Sequence, residues 1–236
     1  MSEILKFKEV KDLIELTHLD YDEALRYMGI KRGMADSHTL AMLPECENQV
    51  IAASVPRYRY GVFNIEHCSN GIQVLNTNLI LTGEDIKRHL HNCWGIVLMC
   101  ATLSGNIDHL IRTTQLKDMA KAIVINSLSS VAIEQVCNKA EEEIYQSLGS
   151  YYKTWRYSPG YGDLPIDLQK EILAILDAPR KIGLCTADSM TLTPIKSVTA
   201  IIGLSNSPVA PAKRGCLCCN LKDTCQYRKA GNHCVQ

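Results

Sequence analysis

Tyr60-Gly61-Val62-Phe63-Asn64-Ile65, the pair Asn70-Gly71, and the run from Ile72 to Leu81 decide the fold class. Both runs read as strands, and an Asn-Gly pair between such runs signals a hairpin turn. Outward from this hairpin, Thr82 with Asp85 predicts a helix start, and Ile96–Leu103 has the length and flanking glycine of a buried strand. Upstream, Asp20–Met28 has helical spacing, with Asp20 as cap, Glu23 completing a capping box and Gly29 as stop. A second helix is predicted within Asp36–Ser54, with Pro44 as a kink or break. Downstream, residues 115–148 form the longest helical pattern. Ala120, Ile123, Val124, Ser127, Val131 and Ile144 are expected on its buried face. Pro165 is expected to open a last helix reaching about Leu176, and Val198–Leu204 reads as the final strand. A hairpin, then long helices, then late strands predicts an α+β fold: a mixed or antiparallel twisted sheet with helices packed on it.

Composition fits a globular cytoplasmic protein. Lys plus Arg equals Asp plus Glu at 25 each over 236 residues, which argues against a basic face for nucleic acid. The longest apolar run, near Ile96–Ala101, is far short of a membrane span. Lys6, Phe7, Lys8 and Glu9 read as an amphipathic start, not a signal peptide. No Gly-x-Gly-x-x-Gly follows a strand and no phosphate loop is present, so a Rossmann-type methyltransferase is a poor fit. There are 11 cysteines. Cys46, Cys68, Cys93, Cys100, Cys137 and Cys185 are scattered, mostly in apolar surroundings, and read as buried thiols.

Between the long helical pattern and the last strands lies Arg156-Tyr157-Ser158-Pro159-Gly160-Tyr161. Pro159 and Gly160 make it a turn. Arg156 offers a charged planar fork for a carboxylate, and Tyr161 an aromatic face for a cation. A ligand carrying both charges, such as S-adenosylmethionine, suits the pair; a surface turn packing its aromatics on the domain is the alternative.

In context, the chain resembles the reactivation domain of cobalamin (vitamin B12)-dependent methionine synthase, particularly its free-standing forms. The motif Arg-x-x-x-Gly-Tyr is met by Arg156, Gly160 and Tyr161. Leu98-Met99-Cys100-Ala101-Thr102-Leu103-Ser104-Gly105 resembles the family's apolar strand ending in Thr and Gly, followed by a helical region with Ala132-Ile133-Glu134. Leu184–Met190 and Pro194–Ala200 resemble the paired strands after the motif. The resemblance is strongest over residues 90–205, within a domain spanning 1–205. The first 60 residues resemble only the free-standing members, and the long forms' early ligand-contacting Asp has no match. Where long forms continue with Pro and a Cys-Pro-x-His stretch, this chain has Gly162-Asp163-Leu164-Pro165.

The resemblance implies a helmet-shaped α+β domain holding S-adenosylmethionine in an extended pose. Arg156 would bind the methionyl carboxylate, and Ser158 and Gly160 would contact the ligand through backbone. Tyr161 would sit near sulfonium and ribose, and Glu134 would bind the amino or ribose groups. It also implies a function: reductive reactivation of a cobalamin-dependent methyltransferase, most readily methionine synthase. The domain would place the ligand's methyl for transfer to Co(I) on that partner. The chain has no Asp-x-His-x-x-Gly motif, so cobalamin must come on a partner. A binding module without catalysis, and an iron–sulfur redox or scaffold protein, are the rival classes.

Residues 206–236 read as a linker and a Cys-rich tail. Cys216-x-x-Cys219 places two thiolates in one tight turn, and Cys225 and Cys234 can close a metal shell, with Cys218 and His233 as alternative ligands. Thiolate ligation suits zinc or an iron–sulfur cluster, and a cluster could deliver the electron for reactivation. A structural zinc knuckle and a reduced tail without metal are the alternatives.

Overall fold

The computed structural model describes residues 6–9, 14–31, 33–149, 151–209, 223–225 and 229. Its centre is three long antiparallel strands: β2 (Arg57–Cys68), β5 (Gly95–Thr102) and β9 (Ser197–Ser205). β5 pairs along its whole length with both neighbours, Tyr60 opposite Met99 and Met99 opposite Ala200. All eight β5 residues are buried, as their apolar run predicts.

The hairpin forms between β2 and β3 (Gly71–Val74), but the turn residues are Ser69 and Asn70, and Gly71 already pairs with Cys68 as the first residue of β3. The run Ile72–Leu81 is not one strand, however. It breaks after Val74 and resumes as β4 (Ile80–Leu81), because Asn76 takes φ 62°. The Gln73 amide there donates to the carbonyls of Val74, Thr77 and Leu79. β1 (Lys6–Glu9) pairs with the other half of β2, and β6 (Tyr152–Lys153) with the end of β9. Every pairing in this sheet is antiparallel, in the order β4-β3-β2-β5-β9-β6, with β1 beside β2.

Strand periodicity of two sends alternate residues to two cores. Tyr58, Tyr60 and Val62 of β2, Val97 and Met99 of β5, and Ala200 and Ile202 of β9 face one core. That face is covered by α1 (Tyr21–Tyr27), α2 (Ser37–Ala53), α4 (Gly105–Gln115) and α5 (Met119–Leu148). Phe63, Ile65, Ile96, Leu98 and Ile201 face the other core, covered by α3 (Glu84–His89), α6 (Leu168–Ile175) and α7 (Ala178–Ile182).

Asp20 caps α1 by accepting the Glu23 N–H at 3.0 Å, but Glu23 turns to Arg26 and leaves the capping box open. Asp36 caps α2, which runs unbroken through Pro44. Glu47 of α2 is buried and accepts from the Leu19 N–H (2.6 Å) and Tyr21 hydroxyl (2.5 Å), clamping the segment before α1. The long helix α5 begins at Met119, after a separate α4 that periodicity did not set apart. Val124, Ser127, Val131 and Ile144 are buried as expected, but Ala120 and Ile123 lie on its exposed side, and Ala122, Ile125, Leu128, Ala132 and Val136 complete the core face. A helix buried over a wide arc has no narrow stripe, so the pattern does not fix its outer edge.

Two further boundaries differ from expectation. α6 starts at Leu168, after a turn containing Pro165, and α7 follows it separately. The strands after the motif pair as a small hairpin, β7 (Cys185–Thr186) with β8 (Leu192–Thr193), and residues 197–205 enter the main sheet. Cys46, Cys93, Cys100 and Cys137 are buried free thiols; Cys68 and Cys185 are exposed.

Candidate functional site

Arg156 leaves the edge of the sheet just before Tyr157, whose backbone bridges Ile201 of β9. Its guanidinium lies along α5, where three residues spaced by about two turns share one face. Nη1 donates to Glu141 at 2.8 Å, and Nη2 donates to Glu134 at 3.0 Å and to the Asn138 side-chain oxygen at 2.8 Å. Three of the five guanidinium N–H groups are thus committed to α5. Glu141 also accepts from Lys153 at 2.6 Å, so one carboxylate links two cations.

Tyr161 is 55% exposed and sits beside this cluster. Partial burial, then the Glu134 carboxylate, raise its hydroxyl pKa, while Arg156 pulls it down. Tyr27 of α1 is raised likewise, by burial first and Glu134 next, and the Arg26 guanidinium lies 4.7 Å over its ring. The structure therefore brings Glu134, Arg156 and Tyr161 together.

The loop itself is held from within. The Gly160 N–H donates to the Leu164 carbonyl, and the Tyr161 N–H to the Ser158 carbonyl, at 2.9 and 3.0 Å. Gly160 has φ 89°, a conformation that favours glycine. Buried Tyr157 donates its hydroxyl to the Tyr161 carbonyl at 3.2 Å; burial, then Asp85 and Asp163, push its pKa to about 12.

Sequence reasoning missed three supports. Asn138 and Glu141 hold Arg156, and their positions four and seven residues after Glu134 were the available signal. Asp163 caps α3 by accepting the Glu84 and Asp85 N–H groups at 2.6 and 3.0 Å, the role expected of Thr82 and its own helix. Gly162-Asp163 is thus a structural joint between loop and helix.

An open groove of about 460 Å³ runs beside this cluster, lined by Asn138, Glu141, Glu142, Tyr145, Gln146 and Lys153. None of Glu134, Arg156, Ser158, Gly160 and Tyr161 lines it; Asn138 and Glu141 join it to Arg156. Cation, carboxylate and aromatic ring within mutual reach match a zwitterion carrying a further positive centre. Of the expected metal ligands, Cys225 is a half-buried free thiol, and Cys216, Cys219 and Cys234 lie outside the described residues. Among the described residues no His, Cys, Asp and Glu group is arranged to hold a metal, and no helix is long and apolar enough to cross a membrane.

Comparison with known proteins bears on the fold. A solved structure of the MetH reactivation domain bound to AdoHcy is similar over 97% of this chain and 86% of its own, with a TM-score of 0.67 and 14% identity. The likeness shows the fold: an antiparallel sheet with packed helices, as in that domain. No protein-family model and no curated protein matches the sequence.

Proposed function

We propose that this chain binds S-adenosylmethionine on the face formed by Glu134 and the loop carrying Arg156, Ser158, Gly160 and Tyr161. It holds the sulfonium methyl for transfer to Co(I) of a cobalamin on a partner methyltransferase, methionine synthase foremost. The observation that carries this reading is the Arg156–Glu134 pair with Tyr161 beside it, in a fold similar to one solved with AdoHcy. Arg156 retains Nε–H and a second Nη1–H for a carboxylate, and Glu134 presents a half-exposed carboxylate to the ligand's ammonium.

The transfer is a displacement in which the Co(I) electron pair forms the Co–C bond as the S–C bond breaks and S-adenosylhomocysteine leaves. It requires alignment and no general acid or base, so this chain's contribution is positioning. The electron that returns Co(II) to Co(I) must come from a separate donor. The tail cysteines Cys216, Cys219, Cys225 and Cys234, by their spacing alone, are proposed to hold zinc or an iron–sulfur cluster able to supply it. Stoichiometric zinc without iron would leave the tail a structural role only.

Calorimetric titration of S-adenosylmethionine into oxygen-free protein tests the reading. Arg156→Ala is expected to weaken binding by roughly ten- to a hundred-fold, the worth of a charge-assisted hydrogen bond. Failure of the wild-type protein to bind overturns it. The three bonds from Arg156 to α5 favour one second reading, a structural clasp in a module without chemistry. In that case Arg156→Ala lowers stability and leaves any ligand affinity unchanged.

A further inference from the structure

Lys196 stands just before β9 and is buried, with 9% of its surface exposed. Its Nζ donates to the Ser130 Oγ of α5 at 2.8 Å, and that hydroxyl donates on to the Asn126 carbonyl at 3.1 Å. Among the described residues no carboxylate stands within ion-pair distance of it. Asp108 acts on it through space, while the Asp108 oxygens accept the Ile195 N–H at 3.0 and 3.3 Å. Burial pulls the Lys196 amine below its ordinary pKa. An ammonium buried without a paired charge carries a cost that structure alone does not repay.

The cations that bond to α5 from the chain following it are matched differently. Arg156 is shared by Glu134 and Glu141, and Lys153 is paired with Glu141. Of the cations bonded to this face of α5, Arg156 is thus neutralised and Lys196 is not. Ser130 and Glu134 are four residues apart, neighbours on one helix face separated by about 6 Å along the axis. An α-amino acid carries its ammonium and carboxylate on a single carbon, and a one-turn separation of acceptor and donor suits both at once.

We propose that Lys196, with Ser130, is a second cationic contact for the carboxylate of the amino-acid end of the ligand, shared with Arg156, while Glu134 receives the ammonium. This rests on the reading of the site given above. It makes Lys196 a specificity-determining residue: it selects a nucleoside bearing a zwitterionic amino-acid tail over one bearing an amine alone.

The test titrates S-adenosylmethionine and decarboxylated S-adenosylmethionine into the full chain. The wild type is expected to prefer the carboxylated ligand by more than about ten-fold, and Lys196→Met to reduce that preference by about ten-fold. Ser130→Ala, which keeps the amine but removes its support, should reduce it less, and it carries the test if Lys196→Met fails to fold. An unchanged preference in the Lys196 and Ser130 variants, lost only in Arg156→Ala, overturns the proposal and leaves the function intact. Equal binding of the two ligands by the wild type also overturns it. Binding of neither overturns both the proposal and the reading beneath it.

Discussion

At Gly162 the backbone has φ 55°, and a Cβ there would overlap the Asp85 carboxylate and the Tyr157 hydroxyl. Gly160 also has positive φ, but a Cβ on it would meet Ile166 at 3.5 Å, an ordinary contact. Gly162→Ala therefore carries both backbone strain and overpacking, about 2–4 kcal/mol together, whereas Gly160→Ala carries the strain alone, about 1–2 kcal/mol. Urea unfolding of the two variants should show this order; equal losses would mean the loop relaxes around Gly162. Lys196 gives a prediction of opposite sign. Lys196→Met replaces a buried unpaired ammonium by an apolar chain of similar length, so the melting temperature should rise as ligand selectivity falls. A lower melting temperature would show that the Ser130 bond is structurally favourable in its own right. The Arg156, Gly160 and Tyr161 cluster was legible because its members lie within six residues. The Lys196–Ser130 contact spans 66 residues, a distance no local pattern encodes.

For whole elements, capping was legible where it is local and hidden where it is not. Asp20, Asp36 and Asp118 each cap the helix they precede, accepting an N–H three residues on. The short α3 is preceded by Gly83, which offers no side-chain cap, and Glu84 borrows Asp163 from 79 residues away. Burial pushes the Asp163 carboxyl up, but the Glu84 and Asp85 N–H groups outweigh it and hold the folded value below the ordinary one. A depressed folded pKa stabilises the fold fully above the unfolded value, about pH 4, and that contribution fades as pH falls through the lower folded value. Asp163→Ala should cost about 1 kcal/mol at neutral pH. Its stability curve should converge on the wild type in acid; a constant offset at every pH would show that packing, not charge, is lost. Because the same residue ends the Arg156 loop, the variant should also weaken S-adenosylmethionine binding.

The chain builds two cores on opposite faces of one sheet. Among the described residues their buried members run from Ile14 to Leu204. The α+β class was legible because the Asn70-Gly71 hairpin, the buried run of β5 and the long α5 each leave a strong local signature. The sheet order was not, since β9 joins β5 across nearly one hundred intervening residues and its partner choice is written only in the packing. This arrangement predicts that residues 1–209 form the folded, ligand-binding unit. A chain ending at residue 209 should unfold in one transition, with a melting temperature within about 3 °C of the full chain, since 1 kcal/mol shifts a domain of this size by about 2–4 °C. It should bind S-adenosylmethionine with unchanged affinity while losing any metal the tail cysteines hold. A fall of more than about 10 °C would correspond to several kcal/mol. The tail would then be a structural part of the domain, and its cysteines would have to be explained as supports of the fold before any role in electron delivery.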